Sequence, residues 1–269
     1  MIPSLNLVAS VWLKTLRVGL PTIVEAARGT LSPQVCNERI DSWSRGLLNY
    51  AGIRLEVIGH EHIRVGKGYI VMSNHQSSYD IPVLFQALRI PLRMVAKKEI
   101  FQIPFVGRAM RAAGFIEVDR ANRLRAIRAL ITARRRLDAS MSVWIAPEGG
   151  RSRTGQLGAF ERGGFLMAMS TGMPILPVTI DGTRHTLPAG RLTLRWGNTV
   201  RVTISAPIDP ADYTRQGIDR LMGITRDAIG RHLSAPPNQT GLQIKSPGEQ
   251  NDQGSRDLAP HFHSGTQQR

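Results

Sequence analysis

Two residues in this chain have the types and spacing for proton transfer: His75 and Asp80, within Ser73-Asn74-His75-Gln76-Ser77-Ser78-Tyr79-Asp80. Histidine exchanges protons near neutral pH, and a carboxylate bonded to its other ring nitrogen fixes the tautomer and stabilises the imidazolium that forms. The pair supplies a base and its orienter without an adjacent serine nucleophile. Five residues of regular helix would turn the two side chains about 140° apart, so they meet only across a loop-to-helix junction. The apolar run Tyr69-Ile70-Val71-Met72 reads as a short buried strand that ends just before His75. Ser77 or Ser78 is the expected N-cap of a helix through Pro82, Val83, Leu84 and Leu88, which leaves Asp80 in its first turn. Alone, the spacing also fits a first-turn acid beside an unrelated loop histidine.

Three further segments carry chemistry-bearing residues at strand ends. Val143-Trp144-Ile145-Ala146-Pro147-Glu148-Gly149-Gly150-Arg151-Ser152 runs from a strand into a turn with an acid, two glycines and an arginine. Arginine suits bidentate phosphate binding, and glycines let a ligand approach the backbone. Read blandly, this is a polar turn with a surface ion pair. Ala113-Gly114-Phe115-Ile116-Glu117-Val118-Asp119-Arg120 is a strand ending in a charged pair, and Pro174-Ile175-Leu176-Pro177-Val178-Thr179-Ile180 is a buried strand bounded by proline.

Taken together, these blocks resemble the 1-acyl-glycerol-3-phosphate acyltransferases of the His-x-x-x-x-Asp glycerolipid acyltransferase superfamily. The family's four blocks occur in order as Asn74-His75 to Asp80, Gly114 to Arg120, Pro147 to Ser152, and Ile175 to Val178. Val95 to Ile100, followed by Ile103-Pro104-Phe105-Val106-Gly107, resembles the family's spacer, so the likeness covers roughly residues 50 to 205. It implies acyl transfer from a thioester, on acyl carrier protein or coenzyme A, to the free hydroxyl of a lysophosphatidate. His75 would take the hydroxyl proton and Asp80 would orient it. Glu148, Gly149 and Arg151 would shape the acceptor site, with Arg151, Lys97 and Arg120 facing the phosphate. Backbone amides would stabilise the oxyanion. No metal or redox cofactor is implied. The chain departs from the family in having Ala146 where a bulky apolar residue is usual and Gly150 where threonine is usual. An acyltransferase for glycerol-3-phosphate, a lysophospholipid or a lyso-aminolipid would share every block. A non-enzymatic basic binding protein would leave His75 and Asp80 dispensable.

The charge distribution bears on partners. Thirty-five Lys and Arg face 20 Asp and Glu, a net +15, and residues 89 to 136 hold thirteen basic against three acidic side chains. Such a block needs an anionic partner or solvent. Nucleic acid is disfavoured, because aromatics make up only 6% of the chain and no zinc or helix-turn-helix pattern occurs. An anionic membrane, an acidic carrier protein or a phosphorylated substrate remains. Within the block, Asn122 to Leu137 reads as a basic helix, or plainly as a solvated face.

The elements that must position these residues follow from pattern. Leu5, Leu7, Val8, Val11, Trp12, Leu16, Leu20, Ile23 and Val24 mark an apolar helix interrupted by Lys14 and Arg17, and Trp43, Leu47, Leu48 and Tyr50 mark a second. The expectation is an interfacial helix pair at the cytoplasmic face of a membrane, peripheral or monotopic rather than spanning, with packing on the domain as the alternative. No secretory signal is expected, and Cys36, the single cysteine, suits a reducing compartment. Strands are predicted near 54–58, 69–73, 92–96, 115–118, 142–146, 175–180, 192–195 and 199–205. Helices are predicted near 78–88, 104–112, 121–138, 161–171 and 210–232. This alternation argues an α/β fold, a mixed, largely parallel sheet flanked by helices. The expected organisation is an N-terminal helical extension over 1–50, a catalytic domain over 51–233 and a disordered tail over 234–269 rich in Gln, Ser, Pro and Gly.

Overall fold

Short apolar runs without charge become strands when turns bracket them and both faces are covered. Ile70–Ser73 (β2) and Ser142–Ile145 (β5) are such runs, and every residue in both is buried in the computed structural model of the chain. The structure describes residues 4–119, 132 and 140–234. Arg120, the helix expected over 121–138 and the tail lie outside the described residues or almost wholly so.

The other strands are Arg54–Ile58 (β1), Leu92–Lys97 (β3), Ile116–Val118 (β4), Ile175–Asp181 (β6) and Thr199–Ile204 (β7). They form one seven-stranded sheet in the order β1-β7-β6-β2-β5-β3-β4. Every pairing is parallel except β6 with β7, so the sheet is mixed and largely parallel. Helices Pro33–Ala51 (α2) and Asp80–Leu88 (α3) cover one face, packing around Val71, Trp144 and Leu176. Arg162–Thr171 (α6) and Ile218–Gly230 (α8) cover the other, packing around Ile70, Met72, Val143 and Ile175. The C-terminal ends of β6, β2, β5 and β3 therefore lie side by side at one edge, where open α/β sheets bind ligands.

Helix Ser4–Ala27 (α1) lies against α2 and against Val106–Ala112 (α5). Lys14, Arg17 and Pro21 do not interrupt it, and from Leu5 to Ala27 it is long and apolar enough, by length and composition alone, to cross a membrane. Lys14 and Arg17 are the charges from which a non-spanning helix is expected. One face of the helix is committed to protein, since Leu7 and Thr22 are buried, whereas Leu5, Leu13, Leu16 and Leu20 are exposed. α5 begins after a strained turn, in which Phe105 has a φ of +66° and Val106 N donates to Pro104 O at 2.8 Å, a rare γ-turn. That turn sets the Phe105 ring against Gly19 of α1, where an added Cβ would come within 2.8 Å of it.

Several expected boundaries shift. No strand forms over 192–195; Leu194 alone points inward, fully buried beside Leu7, Leu47 and Leu187. The helix expected over 210–232 is two short 3-10 turns and then α8, because Asp209 and Thr214 each cap a single turn. Neither Ser77 nor Ser78 N-caps α3. That position is Tyr79, while Ser77 Oγ accepts from Tyr79 N within the preceding turn. Lys98–Phe101 (α4) and Thr183–Thr186 (α7) are short helices that the apolar pattern did not signal.

Two glycine substitutions separate packing from propensity. Gly107 sits so close to the Phe101 carbonyl that an added Cβ would lie 1.9 Å from the oxygen. Gly107→Ala should lower stability by about 1–3 kcal/mol, roughly 2–10 °C in the melting midpoint. Gly223, exposed inside α8 with open space around it, should do the opposite. Gly223→Ala is expected to add about 0.5–1 kcal/mol by reducing the freedom of the unfolded chain. Thermal unfolding of both variants checks the signs.

Candidate active site

The loop from Asn74 to Tyr79 leaves the end of β2 and is fixed on both sides. Asn74 imitates a strand partner: its Nδ2 donates to Ile180 O at 2.7 Å, and its Oδ1 accepts from Ile180 N at 2.8 Å. On the β5 side, Glu148 Oε1 accepts from His75 N at 3.0 Å, and Ser152 N donates to His75 O at 2.7 Å. Both backbone groups of His75 are thus held by the Pro147–Ser152 turn.

Asp80 has no solvent exposure, and its carboxylate gathers the loop around it. Oδ2 lies 2.7 Å from His75 Nδ1 and accepts from Gln76 N at 2.7 Å and Ser77 N at 2.9 Å. Oδ1 accepts from the Thr183 hydroxyl at the start of α7. A carboxylate so engaged acts only as an acceptor, so Nδ1 carries a proton and Nε2 is the nitrogen free to exchange one. The His75 ring stands edge-on to Trp144, with centroids 5.3 Å apart at 87°. The nearby hydroxyls are engaged elsewhere: Ser77 Oγ donates to Leu187 O, and Ser78 Oγ accepts from Arg151 Nη1 at 2.8 Å. This arrangement suits a base that deprotonates an incoming hydroxyl directly.

The expected site residues divide by what they touch. Glu148 spends both oxygens on backbone, Oε1 on His75 N and Oε2 on Gly158 N at 2.7 Å. Its carboxylate is a staple between two loops as well as a wall. Gly149 has a φ of +70°, a left-handed turn conformation that glycine adopts without strain, whereas Gly150 faces open space. Arg151 is exposed and reaches Ser78. Lys97 is exposed at the end of β3. His75, Lys97 and Arg151 border one cavity, and Arg120 lies outside the described residues. Sequence reasoning missed Thr183, the Asn74 tether and the Trp144 wall; Thr183 lies two residues past a buried strand, a place that by itself does not single out a threonine.

That cavity holds about 610 Å³ and is walled by apolar side chains. It passes from His75, Ser78 and Arg151 between the sheet and the α1–α2 hairpin to Thr22, Cys36 and Arg39 near the turn of the hairpin. Leu47 packs in one cluster with Tyr79 beside the His75 loop, while Cys36 meets the carbonyl of Ala113. Eleven residues of α2 separate these levels, about 16 Å. At that end Arg39 pairs with Glu25 at 2.6 Å and donates to the Thr22 hydroxyl at 3.3 Å. Burial pushes the Cys36 thiol up, against the pull of Arg93 and Arg39, and burial lowers Arg93. A second pocket of about 410 Å³ shares Gly150 and Arg151 with the first and is lined by Glu148, Ser152 and Thr154. Arg151 stands between the apolar chamber and this second, mixed one.

If Thr183 holds Asp80 in place, Thr183→Val should leave one carboxylate oxygen unpaired at a cost of about 1–3 kcal/mol. Turnover should fall with little change in KM, and Thr183→Ser should restore most of it. An equal loss in the serine variant would mean that Thr183 acts through packing.

The acyltransferase family model matches residues 54–181. A 1-acyl-sn-glycerol-3-phosphate acyltransferase from Haemophilus influenzae is 32% identical over 167 residues, covering 61% of this chain and 68% of that protein. One from Borreliella burgdorferi is 31% identical over 183 residues, covering 68% and 73%. Among solved structures, the 1-acyl-sn-glycerophosphate acyltransferase PlsC from Thermotoga maritima superposes with a TM-score of 0.71 at 26% identity, covering 86% of this chain and 94% of that one.

Proposed function

Because the chain belongs to the 1-acyl-sn-glycerol-3-phosphate acyltransferase family and is an acyltransferase, we propose that it transfers an acyl group from a thioester to the free hydroxyl of 1-acyl-glycerol-3-phosphate, giving phosphatidic acid. The observation that carries this reading is the His75–Asp80 pair at the mouth of a long apolar cavity with Arg151 beside it. Nε2 of His75 takes the hydroxyl proton as the oxygen attacks the thioester carbonyl. The carbon–sulfur bond breaks, and the proton passes to the departing thiolate. No acyl-enzyme is needed. Arg151 binds the acceptor phosphate, with Lys97 close by, and the 610 Å³ cavity takes an acyl chain, as an apolar pocket of that size would.

The donor in this reading is acyl carrier protein or acyl-coenzyme A. The enzyme works at the cytoplasmic face of an anionic membrane, held peripherally or monotopically. Support for attachment is the outward face of α1, with Leu5, Leu13, Leu16 and Leu20 exposed while the opposite face packs on protein. Such an exposed apolar face leaves water when it seats at a membrane surface. The test is an assay of purified protein against a panel of lysolipids with both donor types. Turnover confined to lyso-aminolipid or lysophospholipid acceptors would replace the acceptor assignment.

Two substitutions check the roles. His75→Ala and Asp80→Asn should each cost about two to four powers of ten in turnover while circular dichroism stays native; near wild-type turnover in folded His75→Ala would remove it as the base. Arg151→Ala should raise the KM for the acceptor roughly ten- to hundredfold and spare the donor, since a charge-assisted contact contributes about 1.5–3 kcal/mol. Arg151→Lys should recover only part, lacking the forked geometry.

A further inference from the structure

The loop between α7 and β7 was expected to contain a strand and instead presents side chains outward. Leu192 is 61% exposed and Trp196 is 64% exposed, and Arg191 and Arg195 beside them are exposed too. Water does not favour that display. Nor is it the consequence of a loose loop: Leu194 between them is fully buried against Leu7 of α1, Arg195 N donates to Thr186 O at 2.8 Å, and Gly197 N donates to Ala51 O at 2.9 Å. The Trp196 ring lies over Gly52, where an added Cβ would meet it at 2.3 Å. The fold holds these four side chains outward on a fixed base.

We propose that this loop is a second membrane-contact site, seating Trp196 and Leu192 at the headgroup level of an anionic bilayer while Arg191 and Arg195 pair with lipid phosphates. Tryptophan and arginine are the side chains suited to that boundary, one by its amphipathic ring and the other by its fork. Continuity favours a bilayer over an acidic protein. The loop is anchored at the end of the hairpin where α1 begins and α2 ends, through Leu194 beside Leu7 and Trp196 over Gly52, and Leu5 at that same end is 78% exposed. An acidic partner would match the arginines and leave the leucine and tryptophan unused. The loop also starts at the active site: the Leu187 carbonyl accepts from Ser77, and α7 just before it carries Thr183, the partner of Asp80. A bilayer contact here would bring the lipid surface to the strand-end edge where the acceptor must arrive. The inference rests on the reading of α1 as a membrane-lying helix.

The test uses full-length protein with phosphatidylcholine vesicles, with and without phosphatidylglycerol, sedimented at low and high salt. Three variants are compared with the parent: Arg191→Glu with Arg195→Glu, Leu192→Ser, and Leu5→Ser with Leu13→Ser on α1. Turnover on a short-chain soluble acceptor, measured without vesicles, shows that each is folded and active. The double charge reversal should weaken binding to anionic vesicles roughly tenfold or more at low salt, with the difference shrinking as salt rises. Leu192→Ser should weaken binding to both vesicle types. If both loop variants bind within twofold of the parent while the α1 variant does not, the loop proposal falls and the α1 reading stands. Unchanged vesicle binding with a raised KM for acyl carrier protein alone would make the loop a carrier-docking surface instead. A parent that binds no vesicle removes both membrane readings and leaves the acyl-transfer reading to its own assay.

Discussion

A carboxylate sealed from water is costly unless donors meet both its oxygens, and Asp80 meets four. Two of these come from the backbone of its own loop, one from His75, and one from Thr183, more than a hundred residues away in sequence. That single group therefore decides three things at once. It curls the Asn74–Tyr79 segment into a compact turn, fixes which nitrogen of His75 holds a proton, and ties the end of β2 to the start of α7. The loop's shape and its chemistry are one constraint. This is why Tyr79 rather than a serine occupies the cap position of α3: the Asp80 side chain is turned back toward the preceding amides, and Ser77 serves the turn instead.

The parallel sheet makes this economical. Adjacent parallel strands end on the same side, so β6, β2 and β5 deliver Thr183, His75 and Glu148 to neighbouring positions without long connections. Glu148 links the second pair of strands as Asp80 links the first, with each carboxylate oxygen taking one backbone amide. Ser152 completes the link by donating to the His75 carbonyl. A histidine held by its backbone on one side and by its ring on the other has little freedom left, which is what a positioned base requires.

Legibility in the sequence followed the range of the interactions. The His75–Asp80 pair and the strand before it could be read directly, because five residues and one apolar run define them. The apolar runs at β5 and β6 were visible for the same reason, and alternation with helices indicated a largely parallel sheet but not the order of its strands. Thr183 was not legible, since nothing local distinguishes it from any threonine after a strand. Glu148 could be singled out from its turn, but its bonds to His75 and Gly158 depend on strand adjacency that spacing does not reveal. The segment 192–195 misled for a physical reason. Its alternation of Leu and polar residues fits a strand, yet Leu194 finds its burial against α1 and α2 rather than in a ladder. The start of α8 was misjudged because Asp209 and Thr214 cap short turns as readily as they cap a helix.

α1 joins the two needs of an enzyme that handles lipid in water. Its inner face, through Val11, Thr15, Val18 and Gly19, is part of the cavity wall, and its outer face is the exposed apolar stripe. The close approach of Phe105 to Gly19 lets the helix lie near α5, and a larger residue at that point would push the two apart. The wall of the chamber is thus a helix whose other side is apolar too. A bilayer covering the outer stripe would remove that surface from water and hold the helix flat against the domain, so membrane contact and a closed cavity would reinforce each other through the same residues. In that arrangement the chain of an acyl group leaves one apolar medium for another, and only the phosphate and the reacting hydroxyl need polar partners at the mouth, where Arg151 stands between the two chambers.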